Sequence, residues 1–198
     1  SAIYLYGTDL YYGFNAFGTV STTDASVTWI PDGGWNGFYF PQGSLFVDAD
    51  YVYAPSQAQL VKPEYTRSRL AAFAADGTVS SWNPNVTGGD VTEMAIDEAD
   101  NLLYIAGTFT AVGGQTRNRL AAIDLDTGSP TSWDPNVNGT INTLVLDAAN
   151  DVVYIGGAFT TVNGATTRNR LAAISTTGTG TATAWDPVTG GSSPTVSV

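Results

Sequence analysis

A chain of 198 residues with a formal net charge of −11, no cysteine, no histidine and one lysine, Lys62, lacks the groups that most catalysis and metal binding require. The acidic balance repels a nucleic-acid backbone and an anionic membrane surface, and the missing Cys and His remove disulfides, thiolate nucleophiles, the commonest general base and the commonest transition-metal ligand. With 43% hydrophobic and 12% aromatic residues the chain can still bury a substantial core, and no run approaches the roughly 18 apolar residues of a membrane-spanning helix.

The N-terminus, SAIYLYG, has neither Met nor the charged and apolar regions of a secretory signal, so a processed chain or a piece of a longer one is expected, with any signal upstream. Its first apolar strand, Ile3-Tyr4-Leu5-Tyr6-Gly7, is followed by Tyr11, Tyr12, Phe14 and Phe17, then Trp29-x-Pro31, Gly33-Gly34-Trp35 and Phe38-Tyr39-Phe40. From there a pattern sets in. Tyr51-Val52-Tyr53-Ala54 precedes TRSRLAAF at 66–73 and Trp82-x-Pro84; Leu102 to Gly107 precedes TRNRLAAI at 116–123 and Trp133-x-Pro135; Val152 to Gly157 precedes TRNRLAAI at 167–174 and Trp185-x-Pro187. The arginine motifs recur at offsets of 50 and 51, and the tryptophans stand 53, 51 and 52 residues apart.

Within one unit Ile141 to Leu146, Val152 to Gly157, Arg119 to Ile123 and Thr131 to Trp133 are short, apolar or β-branched, and bounded by Gly, Asn, Asp and Pro, which predicts four strands. No window has helical apolar spacing with caps. The reading is an all-β chain, a β-propeller of four-stranded blades, with repeats at 1–46 (degenerate), 47–96, 97–146 and 147–198, the last shared with the N-terminus. Ser193 to Val198 corresponds to Ile141 to Leu146, and Tyr4 to Tyr154. That phase fits a closed four-bladed ring or a segment of a ring of about six to eight blades, the second favoured because breaks within a hairpin look like fragment edges.

Every arginine, at 67, 69, 117, 119, 168 and 170, lies in the repeated motif. The structural reading gives one of each pair an acidic or carbonyl partner at a blade junction, Asp134 or Asp186 being candidates; the functional one makes a ring of cationic sites for acidic polysaccharide. Trp29, Trp82, Trp133 and Trp185 are structural repeat positions on the same grounds. Acidic turns at Asp48-Ala49-Asp50, 97–101 and 147–151 offer oxygen to calcium, but fall where hairpins want Asp and Asn, and no metal site is assigned. The sequons at Asn85-Val86-Thr87 and Asn138-Gly139-Thr140 are read as equivalent turns of the repeat.

A catalytic site in a repeat protein should break the repeat. Lys62, Glu64 and Tyr65 do so, standing where the next unit has Gly113-Gly114-Gln115. The first unit, without Arg-x-Arg, concentrates aromatics including Tyr11, Tyr12, Trp35 and Tyr39, which either fill a degenerate blade or form a contact surface.

The phrases VVYIGGAFTTVNGATTRNRLAAI and TSWDPNVNGTINTLVLD resemble bacterial extracellular propeller repeats of unassigned function, and the resemblance covers Tyr51 to Pro187. It implies a secreted or surface-exposed propeller embedded in a large modular protein, without an established reaction. Ala122, Asp124, Thr127, Gly128 and Trp133 are similar to the tryptophan-docking motif of quinoprotein propellers, with spacing one residue longer. That likeness implies interlocked blades and not quinone binding. The expectation is a non-enzymatic structural or adhesive module, extracellular or on the cell surface. Protein partners or self-assembly are expected, with carbohydrate binding as the first alternative and a polysaccharide lyase or glycosidase as the second. No cofactor, nucleic acid or membrane insertion is expected.

Overall fold

A computed structural model of the chain describes residues 3–6, 9–14, 16–21, 27–29, 46–47, 51–62, 65–74 and 80–187, with side chains for 67–72 and 80–187. It divides into two compact units, Ser1–Asn83 and Pro84–Val198.

The first unit contains an antiparallel meander of β1 (Ile3–Tyr6), β2 (Asp9–Phe14), β3 (Ala16–Ser21) and β4 (Val27–Trp29), and a sheet of β5 (Phe46–Val47), β6 (Tyr51–Lys62) and β7 (Tyr65–Ala74). In the meander Tyr4 pairs with Tyr11 of the very next strand. The first repeat is therefore more than a degraded copy, because Tyr53 in the second repeat pairs instead with Ala72, inside the arginine motif. Only two residues separate Tyr6 from Asp9, so the chain turns back at once and has no excursion in which an Arg-x-Arg segment could sit.

The second unit repeats one plan twice. Its strands are β8 (Val91–Asp97), β9 (Leu102–Gly107), β10 (Ala111–Val112), β11 (Gln115–Thr116), β12 (Leu120–Asp124), β13 (Ile141–Asp147), β14 (Val152–Gly157), β15 (Thr161–Val162), β16 (Thr166–Thr167) and β17 (Leu171–Ser175). All pairings are antiparallel: β8-β9-β12 and β13-β14-β17 form two three-stranded sheets, each with a small ribbon, β10-β11 or β15-β16, inserted before its third strand. The sequence repeat, cut at 96 and 146, is thus out of phase with the sheets, each of which starts on the strand before the cut.

The fourth strand expected at Thr131 to Trp133 contracts to single bridges, Ile123 with Pro130 and Ile174 with Ala182. The flanking bonds persist: the N–H of Thr131 donates to the carbonyl of Ala122 at 2.9 Å, that of Thr183 to Ala173 at 2.8 Å, and that of Ser80 to Ala72 at 2.9 Å. Proline is not the cause, since the second copy stops at the same point with Ala182 in place of Pro130: the N–H at this position faces away from the ladder, and that of Ala182 donates to Oδ1 of Asn163 at 2.8 Å. Among the described residues the helix-free expectation meets one exception, a 3-10 turn at Ala148–Asn150 inside the β13–β14 connection. The left-handed φ that closes this turn falls on Asp151 (54°), as it falls on Asn101 (57°) in the β8–β9 turn, a conformation that Asn and Asp tolerate.

The core of the second unit lies between its two sheets. It takes Tyr104, Leu120, Ala122 and Trp133 from one side and Ile141, Val153, Ile155 and Phe159 from the other. The repeated LAAI strand has Leu120, Ala121, Ala122 and Ile123 all fully buried, as a strand covered on both faces requires. Its two alanines keep the strand thin. The leading strands also touch: Oγ1 of Thr92 on β8 donates to the carbonyl of Ile141 on β13 at 3.1 Å.

Candidate functional site: the joint between sheets

Three of the repeat's tryptophans enter their places through the same local turn. The backbone N–H of Trp133 donates to Oγ1 of Thr131 at 3.1 Å, and Trp82 and Trp185 do the same to Ser80 and Thr183 at 3.1 and 3.2 Å. Trp133 then packs edge-on against Tyr104, ring centroids 5.0 Å apart. Its indole N–H crosses to the next sheet and donates to the carbonyl of Ser175 at 2.8 Å, while the N–H of Asp134 reaches the carbonyl of Thr179 at 3.0 Å. Gly180, at φ 80°, lies against the indole: a Cβ there would stand 2.6 Å from Trp133 Nε1 and 2.9 Å from Pro135 Cγ, so only glycine fits. Burial, followed by the nearby carboxylates of Asp97 and Asp100, pushes the Tyr104 hydroxyl up to about 12, which keeps this ring neutral beside Trp133.

The arginine pairs divide their labour. The first of each pair turns inward, and a backbone carbonyl is its main partner: Arg67 Nη2 donates to Ser80 at 2.5 Å, Arg117 Nη2 to Thr131 at 2.5 Å and Arg168 Nη2 to Thr183 at 2.7 Å. Arg117 also donates to Gln115 Oε1 at 3.1 Å and to its neighbour's carbonyl, Thr116, at 2.8 Å. The expected carboxylates are secondary. Asp134 stands 3.9 Å from Arg117 and Asp186 3.5 Å from Arg168, both well exposed, a setting in which ion pairs contribute about 0–1 kcal/mol.

The second arginine does something the sequence did not announce. Arg69, Arg119 and Arg170 all adopt left-handed φ, between 65° and 68°. In the second unit the backbone there is fully used: the N–H groups of Arg119 and Arg170 donate to Phe109 and Phe159, and their carbonyls accept from Gly107 and Gly157, all at 2.9–3.0 Å. Arg119 further donates from Nη1 to the carbonyl of Val137 at 3.2 Å. The conformational cost, about 1–3 kcal/mol each, is held in place by those bonds.

The carboxylates of the acidic turns are used within the turns. Asp97 Oδ1 accepts the backbone N–H groups of Ala99 and Asp100 at 3.2 and 3.3 Å, and Asp147 Oδ2 accepts from the side-chain Nδ2 of Asn150 at 2.9 Å. Among the described residues no three metal-ligating side chains come together. In the β12 turn, Asp124 Oδ1 accepts both the N–H and the hydroxyl of Thr127, at 2.7 and 2.8 Å, and the N–H bond foremost holds its carboxyl below the usual carboxylate range. A lowered folded-state pKa stabilises the fold above the unfolded carboxylate pKa, and that contribution disappears as pH falls through the folded value. Asp124→Asn is therefore expected to lower the melting temperature at neutral pH and to converge with the parent chain in acid; equal deficits at both pH values in a thermal-melt series would contradict this.

The repeat register corrects the sequon reading. The N–H of Thr87 bonds to the carbonyl of Ala111 as that of Asn138 bonds to Thr161, and Gly113 bonds to Pro84 as Asn163 bonds to Pro135. Asn138 is thus the counterpart of Thr87, and Asn85 of Asn136, so the two sequons are two residues out of step. Asn138 is also occupied, its Oδ1 accepting from Thr160 and Thr161 and its Nδ2 donating to Thr160 Oγ1 at 2.8 Å.

Residues 98–126, from the β8–β9 turn through the Asp124 turn, are similar to a family described as a domain of unknown function (DUF5122) beta-propeller. The matched family is a propeller family. No curated protein matches the chain. Antiparallel sheets repeated at this period agree with that likeness.

Of the residues singled out for contact or chemistry, Tyr11 and Tyr12 lie on β2, and Lys62 and Tyr65 are backbone partners where β6 and β7 meet. Trp29 ends β4. Trp35, Tyr39 and Glu64 lie outside the described residues. One carboxylate was missed. Glu93, on β8, is half-buried, and burial pushes its carboxyl up. Its counterpart on β13 is Thr143, since the strands bulge alike at Val91/Glu93 and Ile141/Thr143. The search for breaks in the repeat that picked out Lys62 would have found it.

Proposed function

We propose that the chain is a non-enzymatic structural and adhesive module of an extracellular or cell-surface protein, built as a propeller of four-stranded blades. The observation that carries this reading is that the repeat's versatile side chains are spent on the fold. Arg117 and Arg168 bind carbonyls, Trp133 ties two sheets together, and Asp97 and Asp124 cap turns. Chemistry by paired carboxylates or by a nucleophile with its base needs groups held free for substrate. Contact then falls to the first repeat, where Tyr11, Tyr12, Trp35 and Tyr39 accumulate in place of the arginine motif; such aromatics suit a partner's pocket.

The test is retention of chain-coated beads on cells of the source organism, alongside a glycan array and a turnover assay on acidic polysaccharides. Loss of retention in a Trp35→Ala, Tyr39→Ala variant, with a silent array, supports the proposal. Array signal abolished by Trp35→Ala would instead make the module a carbohydrate binder. Turnover abolished by Glu64→Gln with Tyr65→Phe would make it an enzyme.

A further inference from the structure

The two sequons are not explained by repetition. Copying one turn would place them at one register, yet Asn85 is the counterpart of Asn136, and Asn138 that of Thr87. Their settings differ as well. At Asn85-Val86-Thr87 the outer two residues are exposed and Val86 between them is fully buried, so the turn is anchored through its middle residue. The backbone of Thr87 is held against the start of β10: its N–H donates to Ala111 at 2.9 Å, and its carbonyl accepts from Thr110 and Ala111 at 3.0 and 3.2 Å. Asn85 takes a left-handed φ of 47°, as Asn136 does at 45°, and Asn136 is engaged through Oδ1, which accepts from Asn118 at 2.8 Å. Asn138 uses both ends of its amide to seat the start of β15. Its Oδ1 accepts the N–H groups of Thr160 and Thr161 at 2.9 Å, and its Nδ2 donates to Thr160 Oγ1 at 2.8 Å.

We infer that Asn85 is an acceptor of N-linked glycan and that Asn138, in an equally complete sequon, is not. The donor class is a lipid-linked oligosaccharide diphosphate, supplied with its transferase by the compartment that secretes the chain, so the inference rests on the extracellular reading. In the transfer a bond forms between Asn85 Nδ2 and the anomeric carbon of the sugar, and the C–O bond from that carbon to the diphosphate breaks. The lipid diphosphate leaves, and the amide gives one proton to a base of the transferase. At Asn85 the fold accommodates the product, because the turn is anchored by buried Val86 and by the backbone of Thr87 while residues 85 and 87 stand at the surface. At Asn138 the acceptor nitrogen is the one that donates to Thr160, so a sugar there competes with the contact that seats β15.

The experiment passes the 198-residue chain through a secretory compartment that carries an oligosaccharyltransferase, and reads the intact mass and the glycopeptides of the secreted protein. One glycan is expected, on Asn85. Thr87→Ala removes it and Thr140→Ala leaves it in place, both substitutions sparing the asparagines. A folded, secreted chain with bare Asn85 overturns the inference, as does glycan on Asn138, whether alone or together with Asn85. Should the secreted chain misfold, the same two peptides are read after transfer in vitro from a lipid-linked donor to the purified folded chain: modification of Asn85 alone supports the inference, and any other pattern overturns it. Glycopeptides from the source organism separate this inference from the reading beneath it. Protein absent from both cell surface and medium contradicts the extracellular reading, whereas surface protein with bare Asn85 contradicts the inference alone.

Discussion

Trp133→Ala is expected to cost about 3–5 kcal/mol of unfolding free energy, the range for removing a large buried aromatic. The indole is buried between two sheets, packs on Tyr104 and makes a hydrogen bond across the joint. Its loss leaves a cavity and an unpaired carbonyl at Ser175. Trp133→Phe separates the two contributions, since it retains a ring but not the N–H; leaving that acceptor unsatisfied should cost about 1–3 kcal/mol. Trp185→Ala serves as the internal reference: its ring is 44% exposed and crosses to no described sheet, so its effect should be much smaller. Urea midpoints at constant slope measure all three. Equal losses for Trp133→Ala and Trp185→Ala would mean that the joint contributes nothing beyond packing within one sheet.

The second large effect is expected at Arg117. Arg117→Met keeps a stem of similar length but removes the donors to Thr131, Thr116 and Gln115. Hydrogen bonds from charged groups contribute about 1.5–3 kcal/mol, and here the half-buried carbonyl of Thr131 loses its donor as well, so a loss of about 2–3 kcal/mol is expected. Arg117→Lys should recover little, because a single ammonium cannot reproduce the planar fork. Asp134→Asn should cost no more than about 1 kcal/mol, because the carboxylate is exposed and 3.9 Å away. Salt offers an independent check. Short bonds from a buried guanidinium are screened weakly, so the Arg117→Met deficit should persist at high ionic strength. If Asp134→Asn matched Arg117→Met, the arginine would be held by its carboxylate and the assignment of the carbonyl as main partner would fail.

The strands and the period were legible because they depend on neighbouring residues. Continuous apolar runs such as VVYIGG and LAAI, bounded by Asp, Asn and Gly, specify short strands wherever they occur, and the structure places β14 and β17 on them. The periodic Arg and Trp pointed to structural duty for the same reason. The short fourth strand and the 3-10 turn among the described residues were less legible, since both depend on how few backbone bonds remain beside the Ile123–Pro130 and Ile174–Ala182 bridges and within the Asp147–Asp151 connection. Repeat breaking singled out Lys62, Glu64 and Tyr65; of these, Lys62 and Tyr65 are backbone partners in the β6–β7 hairpin, a register that carries no information about chemistry. The same criterion had not been carried to Glu93, where the break is one residue in an otherwise regular strand.

By itself the sequence determined an all-β chain, its repeat of about 50 residues and the positions at which Trp and Arg recur, because alternation, turn chemistry and periodicity are carried by residues close together in the chain. The tertiary structure alone decided that the first arginine of each pair binds a carbonyl before a carboxylate, that the second takes a left-handed φ, and that Trp133 is covered while Trp185 is not. Those outcomes turn on which backbone atom of another strand or sheet comes within reach. The carbonyl that receives the Trp133 indole lies 42 residues away, at a distance set by the packing of one sheet on the next.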